Sequence, residues 1–310
     1  MRVLIAETDH ALYAELLREQ APELELCGSD RRDELAEYAA QCPLWLGQPD
    51  LLAPLLREGM QPQWLQSTWA GITPLLANDL PTTYPLTRAV GIFGQVMAEY
   101  VLCHLLSHER QLFARLAAQV EQHWDNRLPQ SLRGRKALIV GTGDIGLSVA
   151  QFLAPFGLEL YGVASSPRHL PPFTEVAGLA DLPRLVGDAD YLINLLPNTP
   201  STRDVYDAAL FAVCKPSTLF INAGRGVAVV DQALVNALLQ GQLAAAVIDV
   251  CREEPLPAGH PFWDAPRLQL TGHSSAPTDP YLLVQLFVDN LTRWRAGGEL
   301  RGLVDFVRGY

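Results

Sequence analysis

The segment ALIVGTGDIG at residues 137–146 decides which fold this sequence predicts. An apolar run typical of a buried strand leads into three glycines with the spacing GxGxxG, and SVAQFLAPFG (148–157) continues with helical character. Gly141 would permit a tight turn, Gly143 the approach of a pyrophosphate, and Gly146 close packing of helix on strand. Backbone N–H groups and the helix dipole favour an anion there, so the segment predicts a dinucleotide site rather than a merely close-packed turn. The residues that would border the pyrophosphate are Gly141, Thr142, Gly143, Asp144, Ile145 and Gly146.

Strand-like and helix-like segments alternate on both sides of this motif, which is the βαβ rhythm of parallel sheets covered on both faces. The longest helical pattern, 94–120, contains neither proline nor an interior glycine, so one long helix is predicted there. We expect strands at 2–6, 24–27, 43–47, 63–67, 136–141, 158–163, 190–196, 218–223, 244–250 and 267–272.

The rhythm occurs twice, which predicts an α/β protein with two doubly wound parallel-sheet domains. Residues 1–98 would form a substrate-binding domain, completed by the C-terminal segment 280–310, because the helical pattern at 280–298 is followed by no further strand of its own sheet. Residues 99–279 would form a Rossmann domain that binds the dinucleotide.

The composition is that of an ordinary globular protein with an acidic surface. The 310 residues carry a formal net charge of −11, and no run of Lys or Arg exceeds two, so neither nucleic acid nor an anionic membrane is an expected partner. Five cysteines without a CxxC pair predict neither a disulfide framework nor a metal site, and they suit a reducing compartment. The apolar run after Met1 is too short for a signal peptide, and no run is long enough to span a bilayer, so we expect a cytoplasmic protein.

The loop after the second strand of the Rossmann domain lies in LELYGVASSPRHL (158–170), which contains no acidic residue after Glu159. In such folds an Asp or Glu about 20 residues beyond the glycines binds the ribose hydroxyls of NAD. Here the place is taken by Ser165, Ser166 and Arg168, and hydroxyls with a cation suit a 2′-phosphate better than a diol. The sequence therefore predicts NADP(H) in preference to NAD(H), with a plain solvated loop as the alternative.

Three chemically competent side chains follow predicted strands, where ligands bind in open α/β sheets. Arg225 lies between two glycines and could hold a substrate carboxylate and polarise a carbonyl. His273 could donate a proton to the carbonyl oxygen while hydride arrives at carbon, and Glu254 beside it would stabilise the charged imidazole. Each residue alone could be a surface charge or a structural histidine, but the set can reduce a 2-keto acid.

A pair of histidines, His104 and His108, has the i,i+4 spacing that could hold a metal on a helix. Glu109 lies outside the pair, so the HExxH pattern is not matched. We expect a structural or interface role for the pair and no bound metal.

With these motifs in this order, the chain resembles the D-isomer-specific 2-hydroxyacid dehydrogenase family over nearly its whole length. LRGRKALIVGTGDIG (132–146) resembles the family's L-x-G-K and G-x-G-x-I-G segment, and LPNTPSTRDVYD (196–207) its P-x-T-x-x-T segment. INAGRGVAVVD (221–231) is similar to N-x-x-R-G-x-x-V-D, and DVCREEP (249–255) to D-V-x-x-x-E-P. LTGHSSAPT (270–278) is similar to T-P-H-x-A, with Gly272 in place of the proline.

This resemblance implies a Rossmann domain and a flavodoxin-like substrate domain with the cleft between them, in a homodimer formed through the cofactor domains. It implies catalytic roles for Arg225, Glu254 and His273, with Glu254 chosen over Glu253 because it directly precedes the proline. STWAGITPLL (67–76) is similar to the family's substrate-carboxylate loop, so the implied substrate-binding residues are Trp69, Ala70, Gly71 and Arg225. The implied cofactor-binding residues outside the two loops already named are Leu196, Pro197, Thr202, Ala223, Gly224 and Asp249, the last of these near the nicotinamide amide.

The missing acid and the SSPR loop resemble the NADP-using glyoxylate and hydroxypyruvate reductase branch of the family. We therefore expect NADPH-dependent reduction of a small 2-keto acid to the D-2-hydroxy acid. Two alternatives stay open: a dinucleotide-binding regulatory module without turnover, and a reductase for bulkier 2-keto acids such as phenylpyruvate.

Overall fold

Both halves of the chain fold around all-parallel sheets, which confirms the predicted α/β class with two parallel-sheet domains. The structure is a computed structural model and describes residues 1–309. The chain separates into two compact units, one of Met1–Ile92 together with the segment that starts at Thr278, and one of Phe93–Pro277.

The first unit contains a five-stranded sheet in the order β2-β1-β3-β4-β5, the flavodoxin-like arrangement. Strands β3 and β4 are completely buried, as expected for strands that are covered on both faces. The last strand, β5, has only two residues and is too short to be predicted from the sequence. The elements before Phe93 are β1 (Arg2–Ala6), α1 (His10–Gln20), β2 (Glu25–Ser29), α2 (Arg32–Ala39), β3 (Leu44–Gly47), α3 (Pro49–Arg57), β4 (Trp64–Ser67), a 3-10 turn (Thr73–Leu76) and β5 (Leu86–Thr87).

The second unit contains a seven-stranded sheet in the order β12-β11-β10-β9-β6-β7-β8, which is the Rossmann order with one more strand. Its helices are α4 (Gly94–Glu109), α5 (Leu112–Val120), α6 (Asp144–Leu153), α7 (Leu182–Val186), α8 (Ala208–Ala212) and α9 (Asp231–Leu239). Its strands are β6 (Lys136–Val140), β7 (Glu159–Ala164), β8 (Glu175–Gly178), β9 (Tyr191–Asn194), β10 (Leu219–Asn222), β11 (Ala245–Ile248) and β12 (Leu268–Leu270). Short 3-10 turns cover Ala154–Phe156, Leu179–Asp181, Gly226–Ala228 and Pro261–Trp263.

The strand before the glycine motif is buried on both faces. Ala137 and Ile139 of β6 belong to one hydrophobic cluster, while Leu138 and Val140 belong to the cluster on the other face. Successive side chains of a strand point to opposite faces, so this division explains why the sequence of β6 is continuously apolar.

The predicted helix over 94–120 is interrupted, and this is a correction to the sequence analysis. Helix α4 ends at Glu109, Gln111 adopts φ 53° in the left-handed region, and α5 begins at Leu112. The guanidinium of Arg115 donates to the carbonyl oxygens of Arg110 (3.0 Å) and Asp125 (2.9 Å), which fixes the changed direction of the chain. These contacts depend on tertiary structure, so the helical periodicity alone gave no sign of the break.

The final helix, α10 (Pro280–Arg295), belongs to the first unit. The rings of Trp64 in β4 and Phe287 in α10 stack with their centroids 5.0 Å apart. Among residues 1–309, no helix is long and apolar enough to cross a bilayer.

Candidate active site

The glycine-rich loop between β6 and α6 has the geometry of a phosphate cradle. Gly141 adopts φ +106°, which L side chains rarely adopt, and a Cβ on Gly146 would lie 2.0 Å from the Gly141 carbonyl oxygen. A Cβ on Gly143 would meet no protein atom within 4 Å, so this residue borders open space at the N-terminus of α6. A close-packed turn has no need of a glycine at position 143, whereas a pyrophosphate approaching the backbone does. The loop therefore fits a dinucleotide.

The loop that follows β7 turns its arginine back onto this cradle. The Arg168 guanidinium donates from Nη2 to both oxygens of Thr142, 2.6 Å to the carbonyl and 2.9 Å to the hydroxyl. The Arg168 amide donates to Val176 O at 3.1 Å, which anchors the loop on β8. Ser165, Ser166 and Arg168 are exposed, so their side chains are accessible to a ligand. A cation fixed beside the glycine loop, with no carboxylate between it and β7, suits a phosphate monoester.

The predicted acid–base pair is in direct contact. His273 Nδ1 lies 2.7 Å from Glu254 Oε2, and the other carboxylate oxygen accepts the Cys251 amide at 2.8 Å. An ionised carboxylate can only accept hydrogen bonds, so Nδ1 donates and the pair assigns the tautomer. The His273 side chain is 56% exposed, which leaves its Nε2 available to a substrate.

Asp249 holds the turn that carries His273. Its carboxylate, in a residue only 2% exposed, accepts the Thr271 hydroxyl (2.6 Å) and the amides of Ser274 (2.9 Å) and Ser275 (3.3 Å). Its carbonyl accepts the His273 amide at 2.7 Å. Two consecutive residues of this turn have left-handed backbones, Gly272 at φ +65° and His273 at φ +56°. Since proline is restricted to φ near −65°, Gly272 allows a conformation that the family's proline could not adopt.

Arg225 is half-buried and lies between two buried glycines in the loop after β10. Its Nη1 donates to Gly224 O at 2.6 Å, and the residue precedes the 3-10 turn at Gly226–Ala228. A Cβ on Gly226 would lie 2.0 Å from the Cys251 carbonyl, so this loop touches the one that carries Glu254. The structure thus brings the arginine loop, Glu254 and His273 together at the carboxyl ends of the adjacent strands β10, β11 and β12.

Arg252 links the same two loops and was not singled out from the sequence. Its guanidinium donates from Nε to Val229 O at 2.7 Å and from Nη2 to Val227 O at 3.2 Å, and it pairs with Asp204 and Asp231. Val227 and Val229 belong to the loop that follows Arg225, whereas Arg252 belongs to the loop that carries Glu254. The bonds from the Arg252 guanidinium therefore fix the distance between these two loops.

Two buried asparagines at strand ends were also missed. Asn194 Nδ2 donates to Asn222 Oδ1 at 2.8 Å, while the Leu196 amide donates to Asn194 Oδ1 at 3.1 Å and the Gly224 amide to Asn222 Oδ1 at 3.3 Å. They therefore shape the loops that carry the predicted cofactor residues Leu196, Pro197, Ala223 and Gly224. The repeated endings YLIN and LFIN were a signal in the sequence, because an amide at the end of an apolar strand can replace missing backbone partners.

Thr202 closes the loop that follows β9. Its hydroxyl lies 2.6 Å from Pro197 O and accepts the Thr199 amide at 2.9 Å, and the residue is buried. The structure therefore gives Thr202 a role in holding the loop around Pro197 in shape.

The predicted substrate-carboxylate loop lies in the first unit, directly after β4. Ser67 Oγ accepts the Trp69 amide at 3.0 Å, and Trp69 O accepts the Ala89 amide at 3.1 Å, which fixes the first half of the loop. Among residues 1–309, the amides of Ala70 and Gly71 donate to no protein acceptor. Adjacent amides in this state can bind a carboxylate.

The histidine pair on α4 is not part of a metal cluster. Among the described residues 1–309, no group of three or more metal-ligating side chains is assembled. His104 is buried and packs against the Tyr100 ring at 4.5 Å between centroids. Burial lowers the pKa of both His104 and His108, which favours the neutral imidazoles of a packed helix face.

Comparison with known proteins points to one family. The family model described as "D-isomer specific 2-hydroxyacid dehydrogenase, NAD binding domain" matches residues 102–275. The chain is 37% identical over 249 residues to glyoxylate/hydroxypyruvate reductase A of Yersinia enterocolitica, covering 78% of this chain and 79% of the relative.

Solved structures agree with this assignment over the full length. A D-isomer specific 2-hydroxyacid dehydrogenase family protein from Aeromonas salmonicida superposes with a TM-score of 0.92 at 37% identity, covering 98% of this chain and 99% of that one. The NADPH-dependent glyoxylate/hydroxypyruvate reductase of Sinorhizobium meliloti, solved with NADP and sulfate, has a TM-score of 0.86 at 29% identity and covers 100% of this chain and 99% of its own.

Proposed function

The chain belongs to the D-isomer specific 2-hydroxyacid dehydrogenase family and is an oxidoreductase of that type, and from this premise we propose its reaction. The enzyme reduces a small 2-keto acid of the glyoxylate or hydroxypyruvate kind to the D-2-hydroxy acid with NADPH. The observation that carries the proposal is the 2.7 Å contact between His273 and Glu254, because it provides an oriented proton donor.

His273 is the general acid. Glu254 fixes Nδ1 as a donor, so the proton that moves is the one on Nε2, and the carboxylate stabilises the imidazolium before transfer. In the direction of reduction, Nε2 gives its proton to the carbonyl oxygen as hydride adds to the carbonyl carbon. In the oxidative direction the neutral Nε2 takes the hydroxyl proton back.

Arg225 and the loop after β4 bind the substrate. The Arg225 guanidinium holds the substrate carboxylate and polarises the adjacent carbonyl, since a planar cation matches both oxygens. The amides of Ala70 and Gly71, with Trp69 beside them, add donors for the same carboxylate.

Bound NADPH supplies the hydride, and the second unit supplies its site. The glycine loop cradles the pyrophosphate, and Ser165, Ser166 and Arg168 bind the 2′-phosphate. The fixed position of Arg168 beside Thr142 supports a preference for NADPH over NADH. The residues we assign to the cofactor are Gly141, Thr142, Gly143, Asp144, Ile145, Gly146, Ser165, Ser166, Arg168, Leu196, Pro197, Thr202, Ala223, Gly224 and Asp249.

The two units divide these tasks. We propose that Phe93–Pro277 is the NAD(P)-binding domain and that Met1–Ile92 with the C-terminal segment is the substrate-binding domain. We also place the enzyme in the cytoplasm, because its five cysteines are unpaired thiols, as in reducing compartments.

The protein also pairs with a second copy of itself. Helix α5 has no buried residue, although it displays an apolar row that continues beyond its end: Phe113, Leu116, Val120 and Trp124 are 52–88% exposed. An isolated nine-residue helix is not stable in water, and such a patch marks an interface. The double variant Leu116→Glu/Val120→Glu should elute as a monomer in light-scattering chromatography, whereas Leu239→Glu, at another exposed leucine, should leave the mass unchanged.

A grid of initial rates tests the reaction. NADPH and NADH are each offered glyoxylate, hydroxypyruvate, pyruvate and phenylpyruvate, and loss of reduced nicotinamide is followed. We expect turnover with NADPH well above NADH and with the two small substrates above phenylpyruvate. Tight cofactor binding without turnover would instead favour the regulatory module, and a preference for phenylpyruvate the reductase of bulkier acids.

A further inference from the structure

A hydrogen-bonded chain connects helix α4 to the turn that carries His273. The Tyr100 hydroxyl lies 2.8 Å from Thr271 Oγ1, and Thr271 Oγ1 donates to Asp249 Oδ1 at 2.6 Å. The same carboxylate accepts the amides of Ser274 and Ser275, on the far side of the histidine. Tyr100 and Thr271, 171 positions apart in the sequence, are therefore hydrogen-bonded beside the turn that carries His273.

The direction of the chain follows from counting protons. A hydroxyl has one proton to donate, and Thr271 gives its proton to the Asp249 carboxylate, which can only accept. Tyr100 must therefore donate to Thr271. The hydroxyl of Tyr100 thus polarises the Thr271 hydroxyl, which strengthens the donor that reaches Asp249.

The turn needs such support because its own backbone does not fix it. Gly272 and His273 both lie in the left-handed region, and a Cβ on Gly272 would meet nothing within 4 Å, so packing does not hold that residue. Glycine is also more flexible than other residues. The turn is held by its bonds to Asp249 and by the bond from Ser274 Oγ to Thr271 O at 2.6 Å, and Thr271 Oγ1 bonds the same Asp249 carboxylate.

We propose that Tyr100 is a positioning residue for His273, acting through Thr271 and Asp249. The proposal rests on the function argued above, since it assigns His273 as the proton donor. Tyr100 does not touch the reacting atoms. It holds the carboxylate that fixes the two amides after His273, and so keeps Nε2 aligned with the substrate carbonyl.

The test compares four single variants and one double variant with the wild-type protein. Tyr100→Phe removes the hydroxyl and keeps the ring that packs on His104, Thr271→Val removes the middle hydroxyl, and Thr271→Ser retains it. Tyr84→Phe is the matched control, because the Tyr84 hydroxyl is buried without a hydrogen-bond partner among residues 1–309. The readouts are kcat and KM for the 2-keto acid, and hydrogen exchange of the 271–276 amides in the free protein.

We expect kcat to fall about tenfold in Tyr100→Phe and in Thr271→Val, since small misplacements of a catalytic group are costly. KM should stay within about twofold, because Arg225 and the loop after β4 hold the substrate. Thr271→Ser should recover most of the loss. The double variant Tyr100→Phe/Thr271→Val should be no slower than Thr271→Val, since both residues act along one chain.

Faster exchange of the 271–276 amides should accompany the loss of rate. The positioning role alone would be overturned if the wild type turns over and both Tyr100→Phe and Thr271→Val match Tyr84→Phe in kcat and in amide exchange. Absence of turnover in the wild type would instead refute the proposed function, and the exchange measurement would still decide whether the chain of bonds holds the turn.

Discussion

His273 and Glu254 share a 2.7 Å hydrogen bond although they lie 19 positions apart in the sequence, and the Cys251 amide donates to the second oxygen of the carboxylate. The glutamate is thereby oriented from both sides. A carboxylate held in this way can stabilise the imidazolium without itself rotating away, which is the property that a general-acid histidine requires.

Replacing Glu254→Gln should lower kcat/KM by about 10- to 100-fold, because an amide keeps the shape but not the charge that stabilises the imidazolium. The measurement is a series of initial rates with NADPH and the best keto acid. The neighbouring exposed residue supplies the control: Glu253→Gln should match the wild type, and equal losses in both variants would refute the assignment.

Replacing Arg168→Ala should raise KM for NADPH by about tenfold or more while leaving NADH nearly unchanged, because only NADPH carries the phosphate that the guanidinium binds. Arg184→Ala is a matched control, since it removes the same charge from an exposed pair with Glu175 nearby in the fold. The decisive quantity is the ratio of kcat/KM values for the two cofactors. An equal fall of kcat/KM with NADPH and with NADH would mean that the SSPR loop is a solvated loop without a role in binding the 2′-phosphate.

Replacing Gly143→Ala should separate cofactor binding from folding. The added Cβ meets no protein atom within 4 Å, and the backbone there, at φ −75°, accepts alanine. We therefore expect an unchanged or slightly higher melting temperature, as glycine replacement restricts the unfolded chain by about 0.4–1 kcal/mol. Titration with NADPH should show a loss of affinity of about tenfold or more, since the methyl group occupies the approach of the pyrophosphate. Wild-type affinity in this variant would mean that the pyrophosphate lies elsewhere.

The buried imidazole of His104 should make the protein less stable in mild acid. Burial lowers its pKa in the folded state, so below pH ~6.5 the unfolded chain binds more protons and the free energy of unfolding falls with pH. Burial raises the pKa of Glu7 and Asp231, which acts in the opposite sense, so the comparison must be between variants. Urea unfolding at pH 7.5 and 5.5 should show a smaller acid loss in His104→Gln than in the wild type. In the exposed control His123→Gln, the change in the free energy of unfolding between pH 7.5 and 5.5 should equal that of the wild type. The same change in all three proteins would contradict the prediction.

Features of the site that depend on local sequence were open to prediction. Each of these features lies in the loop after a strand, so its position can be read once the end of that strand is predicted. They are the glycine cradle, the serines and arginine after β7, and Arg225, Glu254 and His273. In a parallel sheet, adjacent strands deliver their carboxyl ends to one edge, so the order of segments already placed these side chains together.

The remaining features depend on contacts between distant segments. The break at Gln111 is fixed by Arg115 reaching two carbonyls, and nothing in the helical periodicity records that reach. Strand β5 has only two residues, too few to show a pattern, and the four-residue strand β8 was not predicted either. The bond from Tyr100 to Thr271 could not be inferred from either residue, because each alone is an ordinary polar side chain near an apolar run.

The return of α10 to the first unit has a consequence for synthesis of the chain. Trp64 cannot be covered by Phe287 until nearly the whole protein has left the ribosome, whereas the segment Phe93–Pro277 is by then complete. The domain that is translated first is thus finished last, and its nascent form exposes a tryptophan while the later domain is already folded. In the interval when residues up to Pro277 have left the ribosome and α10 has not, the dinucleotide fold is complete and the N-terminal sheet still awaits its last helix, so a chaperone would recognise the N-terminal half.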